Sequence, residues 1–83
     1  MPHSFQPSVV AAEIGSNSGP VFLTEADRWT EDLAQAELIE DEAHADIRLL
    51  DAARAGHGAT GIRLVRVRLE RAGLRLADSP EFA

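Results

Sequence analysis

The 83 residues allow one domain. There is no Cys and no Lys, and all eight positive charges are Arg. This excludes disulfides, thiolate metal sites, a phosphate-loop lysine and Schiff-base chemistry, while a formal net charge of −6 argues against bulk binding of nucleic acid.

Residues 1–20 read as an extended arm. They hold three of the four Pro, and Gly15, Ser16, Asn17, Ser18 and Gly19 form a loop-like cluster. Inside the arm, Val9 to Ile14 is a short apolar patch that suits a brief strand or a helical turn. Val21 to Leu23 follows Gly19–Pro20 and leads onward as an extended piece, with Leu23 placed to pack back on the first helical turns.

The stretch from Thr24 to Ala55 dominates the chain. Its thirty-two residues contain neither Gly nor Pro and predict one long amphipathic helix. Trp29, Leu33, Ala36, Ile39, Ala43, Ile47, Leu50 and Ala53 recur at gaps of 4, 3, 3, 4, 4, 3 and 3, one helical face. Their mean spacing is near the value of about 3.5 that favours a left-handed helix–helix seam. Thr24, followed by Glu25, Ala26 and Asp27, suits an N-cap. Arg54 in the last turn and Gly56 beyond it suit a C-terminal stop. Leu38, Ala45, Leu49 and Ala52 form a weaker second stripe on the opposite face. A helix of that length spans about 46 Å, against a diameter of roughly 30 Å for a compact chain of this size. The stripe residues Trp29, Leu33, Ala36, Ile39, Ala43, Ile47 and Leu50, with Leu38 and Leu49, are therefore the expected interface.

Gly56, His57, Gly58, Ala59, Thr60 and Gly61 form a hinge. Over Ile62 to Ala72, Val65, Val67 and Leu69 alternate with charged residues as in a strand. Ile62, Val65, Leu69 and Ala72 also make a helical face, and Arg71-Ala72-Gly73-Leu74 resembles a glycine-terminated helix end. A second, shorter helix is the reading adopted. Leu74 to Ala77 is a short extended tail, broken by Asp78-Ser79-Pro80. The expected fold is all-α: a helical hairpin over 21–83 with an extended N-terminal arm.

The charge is bipolar. Ten acids face two Arg between Thr24 and Asp51, and five Arg face one Glu between Thr60 and Leu76. Arg63, Arg66, Arg68, Arg71 and Arg75 form a basic patch without an aromatic to stack bases. Glu37, Glu40, Asp41 and His44 share one side of the expected helix. Di-iron bundles use Glu-x-x-His in this way, but here the pattern is Asp41-x-x-His44 and occurs once, so an exposed acidic face is the simpler reading. His3 and His57 have no nucleophile assigned by spacing. No catalytic residue, cofactor or resident metal is expected.

These observations predict a small, non-catalytic interaction subunit that docks its acidic amphipathic helix on a larger protein assembly or on itself. The alternative is a small regulatory protein, antitoxin-like or nucleic-acid-associated, acting through the Arg-rich segment 63–75. A third reading is a helical metal-binding protein completed by oligomerisation. With no apolar run near the length of about 18 residues needed to span a bilayer and no leader pattern, the expected location is the cytoplasm.

Overall fold

A computed structural model describes residues 5–15, 19–55, 58–70 and 73–76. Five antiparallel strands form one curled sheet, a half-barrel, with a single α-helix among the described residues. The strands are β1 (Ser8–Ile14), β2 (Val21–Leu23), β3 (Trp29–Thr30), β4 (Ala59–Glu70) and β5 (Gly73–Leu76), in spatial order β3-β2-β1-β4-β5. Helix α1 covers Glu42–Ala55, and a 3₁₀ turn covers Leu33–Gln35. The all-α hairpin expected from the sequence is therefore overturned.

β1 lies inside the stretch expected as an arm, yet it is the central strand. Val9, Val10, Ala11 and Ala12 are all buried, at 1% exposure or less. A strand packed on both faces needs no alternation of apolar and polar residues, which is why Val9–Ala12 gave no period. On one face Val9 and Ala11 pack with Phe22, Ala36 and Val67, flanked by Leu33, Leu38, Val65, Leu74 and Leu76. On the other, Val10 packs with Leu23, Ile39, Ala45 and Ala52, flanked by Phe5, Trp29, Leu49, Ile62 and Leu64.

The long helix fails at its first turn. Thr24 is not an N-cap; it opens the β2–β3 hairpin, whose strands pair Leu23 with Trp29. Thr24 N donates to Arg28 O at 2.7 Å, and Asp27 N donates to Thr24 O at 3.0 Å. The Thr24 hydroxyl accepts from the backbone of Ala26 and Arg28, both at 3.2 Å. Asp27 takes the left-handed conformation (φ 63) that glycine usually supplies in such a loop. A threonine hydroxyl offers the same bonds to a turn as to a helix end, and the short strands on either side decide for the turn.

The chain then returns beside β1. Glu37 N donates to Leu23 O at 3.0 Å, and Ser8 and Ile39 exchange two backbone bonds of 2.9 and 2.8 Å. α1 begins after Asp41, whose carboxylate accepts from His44 N at 3.0 Å, with Glu42 in the first turn. It ends at Ala55, with Arg54 in the last turn, where the sequence placed the stop. Gly56 and His57 lie outside the described residues.

The second helix is also absent from its described part: Ile62–Glu70 belongs to β4. The alternation of Val65, Val67 and Leu69 was the correct signal. Gly73 (φ 121) opens β5, pairing with Glu70, rather than closing a helix.

One glycine governs the twist of β4. Between Ala11 and Glu13 the register slips, so that Gly61 and Ile62 together face Ala12, a bulge with Gly61 at φ 64. A Cβ there would stand 2.7 Å from Glu13 Oε1, the carboxylate that Arg63 grips at 2.9 and 3.0 Å. Gly61→Ala is expected to cost about 1–3 kcal/mol from the left-handed backbone and the displaced ion pair. Urea denaturation reads this, and an unchanged midpoint would contradict it.

Trp29 is half-buried, and its indole Nε1 is buried without a hydrogen-bond partner among the described residues. An unpaired buried donor costs about 1–3 kcal/mol, comparable to the apolar area lost with a smaller ring. Trp29→Phe is accordingly expected to fall within about 1 kcal/mol of wild type in the same denaturation experiment. A loss of several kcal/mol would show that the indole N–H is satisfied in solution.

Candidate interaction surfaces

α1 is fastened by a cation as well as by apolar contact, in which partly buried Leu49 is the large side chain. Its buried residues are Ala45, Arg48 and Ala52. The two alanines bring the helix close to the sheet but bury little area. Arg48, 8% exposed, reaches three parts of the chain. Its Nε donates to Glu37 Oε1 at 2.7 Å, and its Nη1 to Asp51 Oδ2 at 2.7 Å. Its Nη2 donates to Thr24 O at 3.1 Å and lies 2.7 Å from Asp27 Oδ1. Glu37 also stands 3.5 Å from His44 Nε2 through its second oxygen. Burial, the largest single influence on the Arg48 guanidinium, pushes its pKa down. Hydrogen bonds donated to Asp27, Asp51 and Glu37, with the charge of Glu37, outweigh burial and hold the pKa above its ordinary value.

This clamp decides which side of α1 faces outward. Ala43, Ile47, Leu50 and Ala53, half of the stripe expected as the interface, are exposed on the outer face. Ile47 is 56% and Leu50 61% exposed. Glu42 and Asp46, both exposed, lie beside this face on the helix. The other half of the stripe is not on this helix. Trp29 is in β3, Leu33 in the 3₁₀ turn, and Ala36 and Ile39 are buried in the segment between that turn and α1. They divide between the two sides of the sheet, Leu33 and Ala36 on one and Trp29 and Ile39 on the other. Of the weaker stripe, Ala45, Leu49 and Ala52 form the inner face of α1, and Leu38 packs on the opposite side of the sheet.

The basic patch is split as well. Arg63 turns to Glu13, and Arg71 lies outside the described residues. Arg66 and Arg68 share the face of β4 that carries Ile62 and Leu64 under α1, because alternate residues point the same way. Arg75 of β5 stands directly opposite Arg68 in the ladder. Among the described residues, the carboxylate within 4.0 Å of Arg68 or Arg75 is that of Glu70, at 3.9 and 3.7 Å. On the reverse side of this hairpin Leu69 is 72% exposed.

Two of the four side chains weighed as metal candidates in the sequence have other partners. Glu37 is held by Arg48, and Asp41 caps α1. No group of three possible ligands stands together among the described residues. Sequence reasoning missed Arg48 and its partners, although a rare Arg within an acid-dense stretch was the available signal.

A family model described as a protein of unknown function (DUF2849) matches residues 8–79. The chain belongs to this family. The match runs through every described strand and through α1. No curated protein and no solved structure matches the chain. No helix among the described residues is long and apolar enough to cross a membrane.

Removing Arg48 leaves Glu37, itself mostly buried, without its cation. Arg48→Met is expected to lose about 2–4 kcal/mol, the lower part of the range for a broken buried pair because Asp27 and Asp51 are partly solvated. Glu37→Gln in that background recovers part of the loss; simple additivity in this double-mutant cycle would refute the clamp. Because the folded pKa of Arg48 is raised, its stabilisation is complete below the unfolded guanidinium's pKa. It is lost only as pH climbs through the folded value, in extreme alkali.

Proposed function

We propose that this protein is a small, non-catalytic interaction subunit, and that its docking surface is the outer face of α1. The observation that carries the reading is the exposure of Ile47 and Leu50, neighbours on a helix whose inner face is fixed by Arg48. Singly exposed apolar residues are ordinary. Here two stand one turn apart, extended by Ala43 and Ala53, with an acidic border suited to a partner that offers an apolar centre and positive charge at its rim. We place this subunit in the cytoplasm.

A photo-crosslinking residue at position 50 in the native host tests the reading. It is expected to yield one discrete protein adduct, while the same probe at exposed Glu25 yields none. Ile47→Ser, which leaves the core untouched, is expected to diminish the adduct with no change in the circular dichroism of the purified chain. Equal, diffuse labelling from both positions would sink the reading.

The face shared by Arg66, Arg68 and Arg75 favours a second reading, a small regulatory protein that contacts nucleic acid through segment 63–75. Arg68→Ser would then weaken oligonucleotide binding uniformly and flatten its salt dependence.

A further inference from the structure

The Arg68–Arg75 pair is an unusual thing for a sheet to hold. Like charges directly opposite one another in an antiparallel ladder repel. Glu70 is the one carboxylate near both among the described residues. At 3.7 and 3.9 Å it is an ion-pair neighbour beyond hydrogen-bond range. Both guanidinium side chains are about two-thirds exposed, at 66% and 65%. They are thus presented side by side with donors to spare, the arrangement that receives carboxylates in two-pronged bonds.

The same molecule carries a matching surface. Exposed Glu42 and Asp46 stand beside Ile47 and Leu50 on α1. Neither acid lies within salt-bridge distance of Arg68 or Arg75 in its own chain. The two surfaces do lie on the same side of the sheet, since α1 covers Ile62 and Leu64, and Arg66 and Arg68 continue that face. Surfaces on one side can be exchanged reciprocally by two copies about a two-fold axis, the commonest closed arrangement.

Resting on the interaction-subunit reading, we propose that the occupant of the α1 face is a second copy of this chain. The acidic, apolar outer face of α1 in each protomer docks on the Arg68–Arg75 face of its partner. Two equivalent contacts close the dimer. Each would place Ile47 and Leu50 at its centre and pair Glu42 and Asp46 with the two guanidinium groups at its rim.

Sedimentation velocity on the purified chain tests this. A monomer–dimer equilibrium is expected in about 50 mM salt, with the dissociation constant rising at least tenfold in about 500 mM salt, where charge is screened within a few ångströms. Arg68→Ser/Arg75→Ser and Asp46→Ser/Ile47→Ser should each abolish dimers while keeping the native circular dichroism. A mixture of the two variants should dimerise more tightly than either alone, because it restores one of the two contacts. That rescue is the signature of helix-on-basic-face docking.

A monomer at every concentration and salt would overturn the proposal, and a discrete adduct at position 50 would then still uphold the interaction reading with another protein. Dimers that survive Arg68→Ser/Arg75→Ser but not Asp46→Ser/Ile47→Ser would indicate helix-on-helix pairing and also overturn it. So would a monomer that binds an oligonucleotide through Arg68 and Arg75.

Discussion

The arrangement of α1 on the sheet depends on one buried guanidinium. Arg48 joins the helix to the β2–β3 turn through Asp27 and Thr24, to the returning segment through Glu37, and to its own next turn through Asp51. Taking a guanidinium out of water costs several kcal/mol, and the cost is recovered only when charge and geometry are both satisfied. Here three carboxylates and a carbonyl meet it at 2.7–3.1 Å. Such a contact is directional, whereas apolar packing is not. It fixes the rotation of α1 about its own axis.

That rotation is not the one apolar burial alone would choose. The inner face presents Ala45 and Ala52 with partly buried Leu49, and the outer face presents Ile47 and Leu50. Fully burying an isoleucine or leucine is worth about 1.5–3 kcal/mol, and an alanine contributes far less. A helix turned to bury Ile47 and Leu50 would gain apolar area but would lift Arg48 away from Asp27, Thr24 and Glu37. Breaking the clamp would leave Glu37 without its cation, at about 2–4 kcal/mol, while Ile47 and Leu50, already partly covered where they stand, have only part of their burial left to gain. The polar clamp keeps the larger apolar residues outside.

The same competition explains how much of the fold was legible in the sequence. The stop at Ala55, the extended character of Val21–Leu23 and Leu74–Leu76, and the charge division were readable, because each rests on local chemistry. The helical start was not, because Asp27 adopts a backbone conformation usually announced by glycine. Without Gly or Pro, residues 24–41 carry no turn signal, and their Ala, Leu and Glu content favours helix until tertiary pairing overrides it. The spacing from Trp29 to Ile39 fitted a helical face by coincidence. In the fold those four residues divide between two sides of a sheet whose existence depends on β1, a strand with no alternation to reveal it. Along α1, Ala43, Ile47, Leu50 and Ala53 do share one helical face; that it faces outward could not be foreseen from hydropathy, because an arginine takes the inner side.

β4 shows how one strand serves both core and surface. Its first part, bent by the Gly61 bulge, pairs with β1 and lays Ile62 and Leu64 under α1. Beyond Arg66 the ladder with β1 ends, and β5 takes over on the other edge. There the alternation that served the core continues with a different result. Val67 is still buried beside Leu76, whereas Arg68 and Arg75 oppose each other on the same side as α1, past the part of the sheet that the helix covers. An isolated chain gains nothing from setting two arginines in register. It gains nothing either from turning Ile47 and Leu50 to water. Both features lie on one side of the sheet, and they are opposite in charge at their margins. A single contact between the two surfaces would relieve both conditions at once: it removes apolar area from water and gives the paired guanidinium groups carboxylates besides Glu70, the neighbour that they share.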